Sequence, residues 1–393
     1  MHYDYIDSQT DLEQLCASLA GATQIAFDTE FVSEDTYRPE LCLIQVASDT
    51  RLAVIDPYAV DDVLPFWTLL AEGRHETIVH AGREEFRFCR LATGQRPSRL
   101  FDVQIAAGFV GMEYPASYGS LLARVLRTNL DKGETRTDWR QRPLSSRQIE
   151  YALQDVCHLI TLRGELGQRL ERLGRQTWIE SEMDDWQAEV ERADSSERWR
   201  RVSGISGLSP RHLAIVREIW HWRDQTAAQR DWPPKRVLRD DLLVELARRQ
   251  TADPKRIRAV RGMERGDIQR ILPALSECIA KALALPDKEC PRNGGRSSRP
   301  QLNVLGQFLN TALGCICREA QMAPSLVGTV DDLRELAAYR LDLGRNTDQT
   351  PRLARGWRAE VVGKSIEEFL SGKLAIRVDN PENDDPLNFV RLD

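Results

Sequence analysis

The spacing of apolar and polar positions changes at about residue 176. Before it, short apolar and β-branched runs are separated by polar turns at Gln24–Phe31, Leu41–Ser48, Arg51–Asp56 and Thr77–His80. Such runs predict strands, and the short break Asp49-Thr50 predicts a hairpin. Apolar residues recur at helical spacing over 61–71, 83–92, 101–109 and 148–173. Strands followed by alternating helices and strands predict an α/β domain with a mixed sheet.

After residue 176 the strand pattern disappears and helical spacing continues. Breaks at Pro233-Pro234, at Asp253-Pro254 and near Gly262 divide the first helical stretch. A run rich in Gly, Pro, Ser and Arg predicts a flexible linker before the second stretch. The predicted domains are an α/β domain at 1–176, a helical connector at 177–209, a helical domain at 210–290, a linker at 291–300, a second helical domain at 301–378 and an acidic tail at 379–393.

The charge is unevenly distributed along the chain. The net charge is −6, but residues 1–176 hold 19 Lys and Arg against 26 Asp and Glu, while residues 210–284 hold 16 against 10. The basic second region is therefore a candidate nucleic-acid-binding surface. No apolar run reaches the roughly 20 residues of a membrane span, so no membrane contact is expected. The lack of a secretory signal and of C-x-x-C pairs among the eight cysteines predicts reduced thiols and a cytoplasmic location.

Two acidic motifs indicate a metal site. On a strand, alternate side chains share a face, so Asp28 and Glu30 project together while Phe27, Thr29 and Phe31 share the other face. On a helix, residues four apart share a face, so Tyr151 and Asp155 point together. Carboxylate oxygens favour hard ions such as Mg²⁺ or Mn²⁺. The simpler alternative is an edge strand whose acids face water.

Between these two motifs in the chain, a further motif follows the strand-like run at residues 77–80. His80-Ala81-Gly82 forms a small-residue turn, and Glu84 and Glu85 lie in the first turn of the predicted helix. Acidic residues at a helix start also interact favourably with the helix dipole, which needs no further role.

Taken in chain order, the three motifs resemble those of the DEDD exonuclease superfamily, in the subgroup with a tyrosine in the last motif. Three further segments, Phe101-Asp102-Val103-Gln104, Tyr118-Gly119-Ser120-Leu121 and residues 130–139 (LDKGETRTDW), are similar to the ribonuclease D family. The resemblance implies a ribonuclease H-like α/β exonuclease domain with a mixed sheet, followed by two all-α HRDC-like domains, the second more diverged.

The resemblance also implies a catalytic mechanism with two divalent metal ions. Asp28 would bridge both ions, Glu30 and Asp155 would complete the site of the ion next to the nucleophile, and Glu85 would support the other ion. The family's middle motif normally has aspartate where this sequence has Glu85, whose carboxylate extends about 1.3–1.5 Å further. Tyr151 would orient the attacking water, because a phenol with a pKa near 10 is a poor base at neutral pH.

The implied substrate is RNA with a free 3′ end, with tRNA precursors as the family's substrate and no obligate protein partner. Backbone at Thr29 and the Glu30 carboxylate would hold the terminal hydroxyl, and Phe31 would stack on the last base or pack in the core. His80, Lys132 and Asp138 would line the channel. Two alternatives remain open at this stage: a 3′-5′ DNA exonuclease of the same superfamily, and a non-catalytic RNA-binding protein whose metal site has decayed at Glu85.

The first helical stretch has basic residues interleaved with Trp220, Trp222 and Trp232, which predicts a surface that follows RNA phosphates. The alternative is that the tryptophans are core residues and the arginines a solvated face. The basic set comprises Arg211, Arg217, Arg223, Lys235, Arg236, Arg239, Arg248, Arg249, Lys255, Arg256, Arg258 and Arg261.

Overall fold

The computed structural model describes residues 2–130, 137–195, 198–263, 270–292, 299–343, 350–383 and 385–392. The chain forms two compact units. Met1–Glu30, Cys42–Glu189 and Ser298–Asp393 make up the first unit, and Phe31–Leu41 with Val190–Ser297 make up the second. Within the described ranges, no helix combines the length and apolarity that crossing a membrane requires.

A six-stranded mixed sheet forms the centre of the α/β domain. Its strands are β1 (Asp4–Ile6), β2 (Gln24–Val32), β3 (Glu40–Ala47), β4 (Leu52–Ile55), β5 (Glu76–Val79) and β6 (Leu100–Asp102). Their order is β1-β4-β3-β2-β5-β6. The pairs β1/β4, β2/β5 and β5/β6 are parallel, whereas β3 and β4 are antiparallel. Ala47 pairs with Leu52 across the turn, which confirms the predicted hairpin.

Eight helices accompany this sheet in the described part of residues 1–195. They are α1 (Gln9–Leu19), α2 (Leu64–Glu72), α3 (Arg83–Thr93), α4 (Val103–Phe109), α5 (Tyr118–Val125), α6 (Ser146–Gln154), α7 (Leu159–Arg172) and α8 (Gln176–Ser195). Side chains of Ser8, Ser117 and Ser145 accept hydrogen bonds from backbone N–H groups at the starts of α1, α5 and α6, where helices leave donors unsatisfied.

The structure of the α/β domain differs from the predicted elements in several places. β1, α1 and α5 were not predicted, and β1 has only three residues, too few to show a periodicity. The segment predicted as a helix from Phe101 begins with the end of β6, and its helix starts at Val103. The continuous helix predicted over 148–173 is divided into α6 and α7, and Asp155 lies at the end of α6.

The second unit is helical around its own core. Its helices are α9 (Pro210–Arg230), α10 (Pro234–Val237), α11 (Asp240–Arg249), α12 (Pro254–Arg258) and α13 (Leu272–Ala284). Both predicted proline breaks are confirmed, because α10 begins at Pro234 and α12 at Pro254. Tyr37, in the segment between β2 and β3, donates its hydroxyl to Asp224 and its backbone N–H to Asp231 on this helical body.

The second helical stretch lies in the first unit. It contains α14 (Pro300–Glu319), α15 (Pro324–Val327), α16 (Val330–Arg340) and α17 (Gly356–Leu370). A hairpin of β7 (Leu374–Val378) and β8 (Leu387–Arg391) follows, so the range predicted as an acidic tail includes a strand. The predicted domain boundaries remain predictions.

The α/β domain and this second helical stretch share one hydrophobic core. Buried residues of α4 and α7 belong to the same cluster as buried residues of α14 to α17. The rings of Phe109 and Trp357 lie 4.7 Å apart in an edge-on contact. The mixed sheet and the helical segments after it confirm the α/β fold class with a helical continuation, whereas the β7–β8 hairpin departs from the all-α prediction.

A buried ion pair joins α8 to α17 within this core. Arg358 and Glu182 have side chains only 4% and 5% exposed, and their atoms lie as close as 2.6 Å. Glu182 also accepts a hydrogen bond from Trp357 Nε1, and Arg358 donates to the carbonyls of Leu326 and Val327. Every partner in this group is therefore satisfied inside the protein.

Replacing Arg358 with alanine should lower the free energy of unfolding by about 3–5 kcal/mol, because Glu182 would keep a buried charge without its partner. Denaturant unfolding of the full chain measures this change. Arg355→Ala is the matched control, since Arg355 is exposed near the start of the same helix, and it should change stability by less than about 0.5 kcal/mol. Equal effects of the two variants would contradict a specific role for the ion pair.

Candidate active site

Strand β2 carries the first motif. Phe27 is fully buried, and its ring lies 5.9 Å from those of both Phe66 and Trp67 on α2. Thr29 is also buried, whereas Asp28 and Glu30 are only half-buried. The aromatic contacts fix one face of the strand against the helices, so the two carboxylates project from the other face.

The second motif is held by a residue that the sequence analysis cited only as part of the resemblance. Asp102, buried at the end of β6, accepts hydrogen bonds from the backbone N–H groups of Ala81 (3.1 Å), Gly82 (3.0 Å) and Gln104 (2.8 Å). Ala81 has a φ of 54°, and a Cβ on Gly82 would come within 2.4 Å of the Val79 side chain. Asp102 therefore holds a tight turn that directs the start of α3.

Helix α3 brings Glu85 to β2. The Glu85 side chain is buried at 5% exposure, and its Oε1 accepts a hydrogen bond of 2.6 Å from Thr29 Oγ1. Glu85 lies in the first turn of α3, where an acid suits the helix dipole, but its side chain is buried in the protein. Its neighbour Glu84 pairs instead with Arg87 on the same helix.

Helix α6 supplies the third motif. A capping box of Ser145 and Gln148 fixes where the helix begins. Tyr151 is half-buried, with its ring 6.3 Å from that of Trp139. Asp155 lies at the end of the helix but keeps helical backbone angles, so the spacing of four residues still aligns it with Tyr151.

The four carboxylates influence one another electrostatically. Burial raises the pKa of Asp28 well above its usual range, and the nearby charges of Glu85, Asp155 and Glu30 raise it further, against a hydrogen bond from the Thr29 backbone. Burial, with the charges of Asp155 and Glu85, raises the pKa of Glu30 to about 8. Burial raises the pKa of Glu85 to about 7 and that of Asp155 to about 6. Ionising all four carboxylates at once is therefore unfavourable unless a cation neutralises part of their charge.

Tyr151 keeps its proton at neutral pH. Burial, and then the charges of Asp155, Glu30 and Asp28, raise the pKa of its phenol to about 12. A protonated phenol can donate a hydrogen bond and orient a water molecule, but it cannot accept a proton as a base near pH 7.

The donor set fits a hard divalent cation. All four groups offer oxygen atoms, and a cation between them would offset both the cost of burying their charges and the repulsion between those charges. In the described ranges, however, no group of three or more His, Cys, Asp or Glu side chains already has the arrangement of a metal site. The fold thus brings the acids into one electrostatic cluster without fixing them at ligand distances.

The remaining candidate residues lie in different surroundings. His80 is half-buried, with Nε2 3.0 Å from the Ala116 carbonyl and its ring 5.4 Å from that of Tyr118. Asp138 is exposed and accepts a hydrogen bond from the Arg140 backbone. Phe31 is half-buried. Lys132 lies outside the described residues.

Arg142 is a supporting residue that the sequence analysis missed. It makes two hydrogen bonds to the buried Asp56 at the end of β4, and a third to the Cys42 carbonyl on β3. It also donates to the carbonyl of Trp139, whose ring lies beside Tyr151. Arg142 thus ties the segment next to the tyrosine to the sheet. A single arginine in a polar stretch gave no signal of this.

Comparisons with known proteins place the chain among 3′-5′ exonucleases. A model of the 3′-5′ exonuclease family matches residues 3–171, and a model of the HRDC domain matches residues 212–279. Together with the mixed sheet and the clustered carboxylates, these matches define the class of protein as a 3′-5′ exonuclease with an HRDC domain.

Individual relatives narrow this class. A ribonuclease D of Gluconacetobacter diazotrophicus is 33% identical over 379 residues, 95% of this chain and 94% of that protein. One of Zymomonas mobilis subsp. mobilis is 34% identical over 382 residues, 95% of each chain. The crystal structure of Escherichia coli RNase D, an exoribonuclease involved in structured RNA processing, matches with a TM-score of 0.83 at 27% identity, covering 95% of this chain and 99% of that one. The chain belongs to the ribonuclease D family and is a 3′-5′ exoribonuclease.

The Thr29 hydroxyl should matter for activity through Glu85. Thr29→Val leaves the buried Glu85 oxygen without its donor, a loss worth about 1–3 kcal/mol, so activity on an RNA oligomer should fall by about 5- to 150-fold. The concentration of Mg²⁺ needed for half-maximal rate should rise in parallel. Thr29→Ser, which keeps the hydroxyl, should restore both values.

A double-mutant cycle with Glu85→Asp tests whether the two side chains act together. If the hydroxyl positions Glu85, the loss caused by Thr29→Val should shrink in the Glu85→Asp background, because the shorter side chain no longer makes the same contact. Additive losses, or a Thr29→Val enzyme with an unchanged Mg²⁺ requirement, would show that Thr29 serves only the packing of the strand.

Proposed function

We propose that this exoribonuclease hydrolyses the terminal phosphodiester of RNA at a site where Asp28, Glu30, Glu85 and Asp155 hold two divalent metal ions, Mg²⁺ or Mn²⁺. The observation that carries the proposal is that burial raises the pKa of all four carboxylates, and that the charges of the neighbouring acids raise those of Asp28 and Glu30 further. Such a cluster is costly without cations. When bound, divalent ions supply charge neutralisation at the scissile phosphate and ease deprotonation of water.

The other side chains would position the reactants. The protonated Tyr151 would orient the attacking water by a hydrogen bond. The Glu30 carboxylate and the Thr29 backbone would hold the 3′-terminal hydroxyl, while the Thr29 side chain keeps Glu85 in place. Phe31 would stack on the last base, and His80, Lys132 and Asp138 would line the channel, as the family resemblance implies.

Structured RNAs, with tRNA precursors first among them, are the proposed substrates. Escherichia coli RNase D, the structure matched above, is involved in structured RNA processing. The basic surface of the first helical stretch offers a place for the RNA body. Arg248, Lys255, Arg258 and Arg261 are exposed there, whereas Arg223 is buried in an ion pair with Asp240 and belongs to the framework. Trp220 and Trp222 pack against the core, which leaves Trp232, stacked beside Arg230 and Arg236, as the candidate base platform.

The proposed location is the cytoplasm. None of the eight cysteines forms a disulfide, and five of them are buried. Burial raises the pKa of the Cys89 thiol to about 11 and that of Cys317 to about 12. Cysteines without disulfides suit a reducing compartment.

A single assay tests the proposed site. RNA labelled along its length should be degraded from the 3′ end to 5′-mononucleotides in Mg²⁺, and EDTA should stop the reaction. Asp28→Asn and Asp155→Asn should each lower the rate at least about a thousandfold, because several kcal/mol of transition-state stabilisation depend on the ions. Tyr151→Phe should lower it about 10- to 100-fold, the worth of one orienting hydrogen bond.

Glu171→Gln is the matched control, since Glu171 is an exposed carboxylate in the same domain. It should act like the unaltered protein. Activity that survives in EDTA, or in Asp28→Asn, would contradict the assigned residues. The substrate is tested by comparing the rates of hydrolysis of a tRNA precursor with a 3′ extension, an unstructured RNA and a DNA of the same sequence. Equal rates on all three would contradict a preference for structured RNA.

Protons and divalent ions should compete at this site. The folded-state pKa values of Glu30, Glu85 and Asp155 lie above the ordinary value near 4, so without divalent ions the cluster destabilises the fold increasingly as pH rises from about 4 to 8. Ions that bind the ionised form offset this loss. The rise in melting temperature caused by 10 mM Mg²⁺, roughly a saturating concentration, should therefore be larger at pH 8 than at pH 6. In Asp28→Asn the rise should be small at both pH values, and an equal rise at both pH values in the unaltered protein would contradict the prediction.

A further inference from the structure

A cavity of about 780 Å³ lies in the first unit, where the end of α7 meets the end of α14. None of the proposed catalytic residues lines it. It is lined by Val110, Gly111, Arg169, Arg172, Leu173, Gly314, Cys317, Arg318, Gln321, Met322 and Pro324.

Three arginines from two helices converge on this cavity. Arg169 and Arg172 come from the last turn of α7, and Arg318 from the last turn of α14. Arg318 pairs with Asp385, an exposed residue of the β7–β8 loop. Over the parts of the chain that the structure describes, the guanidinium groups of Arg169 and Arg172 make no hydrogen bond or ion pair. The cavity therefore has an excess of two positive charges.

Helix capping does not account for this convergence. Arginines are favoured in the last turn of any helix because they complement its dipole, which explains their presence on α7. The carbonyl groups that end α14, however, are already taken by a different residue. Arg175 donates to the carbonyls of Ala320 and Gln321, as well as to that of Phe109. The guanidinium groups of Arg169 and Arg172 are thus available to an external partner in the cavity.

The chemistry of the lining selects a phosphate group. The planar guanidinium offers paired N–H donors that match phosphate oxygens, and Arg is preferred wherever such recognition matters. The apolar side chains of Val110, Leu173 and Met322 share the wall, and a less polar wall strengthens each charged contact. We propose that this cavity binds a phosphate of the RNA backbone, away from the catalytic site. The choice of RNA as the source rests on the exoribonuclease activity.

The position of the cavity fits a contact with a different part of the RNA from the nucleotide being removed. Asp155 lies just before α7, and Arg169 lies ten residues after the helix begins at Leu159. At 1.5 Å per residue this is a rise of about 15 Å. A phosphate held there belongs to the RNA body or to a nucleotide several positions from the 3′ end.

The test compares two matched charge reversals in the full-length protein. Arg172→Glu changes the cavity, and Arg340→Glu changes an equally exposed arginine in the last turn of α16, outside it. Binding of a labelled hairpin RNA with a single-stranded 3′ end is measured by fluorescence anisotropy in EDTA, where no hydrolysis interferes. Arg172→Glu should weaken binding about tenfold or more, and Arg340→Glu less than about twofold.

Salt dependence and a short substrate separate a phosphate contact from misfolding. Arg169→Ala/Arg172→Ala should reduce the slope of log Kd against log salt by about 0.7–0.9, the value for one lost phosphate contact. It should hydrolyse a trinucleotide in Mg²⁺ within about twofold of the unaltered protein, because so short an RNA does not reach the cavity. The binding measurement needs no active catalytic site, so a failure of the catalytic assignments leaves it unaffected.

A second arm distinguishes RNA phosphate from a free anion. Pyrophosphate should raise the melting temperature of the unaltered protein and of Arg340→Glu in EDTA, but not that of Arg169→Ala/Arg172→Ala. Loss of this shift together with weaker RNA binding supports the proposal. Loss of the shift with unchanged RNA binding would overturn RNA as the source and leave a site for small phosphates. Unchanged RNA affinity, salt slope and melting shift would overturn the phosphate site itself.

Discussion

Repulsion between like charges is the constraint on which the catalytic domain depends. Asp28, Glu30, Glu85 and Asp155 come from β2, α3 and the end of α6, and each has a pKa raised by burial, with neighbouring acids adding to the shift for the two on β2. In the absence of a bound cation, these carboxylates would have a lower free energy if they lay further apart. Aromatic packing beneath β2 and the capped start of α6 hold the backbone so that the acids cannot move away.

The turn before α3 shows how the backbone is held so that Glu85 stays near the other acids. Asp102 uses both carboxylate oxygens to hold the backbone of Ala81 and Gly82 in a turn that few residues adopt. Glu85 then reaches β2 and meets the Thr29 hydroxyl. Where the family resemblance implies aspartate, this chain has the longer Glu85, and the Thr29 hydroxyl on β2 gives its carboxylate a hydrogen-bond partner.

Sequence patterns predicted those strands, turns and helix breaks that depend only on residues close together in the chain. The strands β2 to β5, the hairpin between β3 and β4 and the proline breaks of the second unit all follow local rules. β1 was too short to show a period, and the helical spacing through 148–173 hid the break after Asp155 because apolar residues continue on both sides of it. The local rules also could not show that the chain after residue 378 turns back as β8.

The same limit applies to the site. The alternation in β2 and the spacing of Tyr151 and Asp155 were enough to propose which side chains face the same way. The supporting contacts of Asp102 and Arg142 join residues 20 and 86 positions apart, and no local pattern encodes them. Whether an acid at a helix start faces solvent or the interior, as with Glu85, depends on the sheet that the helix packs against.

The shared core of the first unit also affects how the protein folds during its synthesis. Phe109 of the nuclease domain packs against Trp357, and Glu182 is paired with Arg358, so part of the interior is supplied by a segment about 175 to 250 positions further along the chain. On the ribosome, residues 1–176 emerge well before those partners and must wait for them with apolar surface uncovered. The interior of the nuclease domain is therefore completed only once the distal helices have been synthesised.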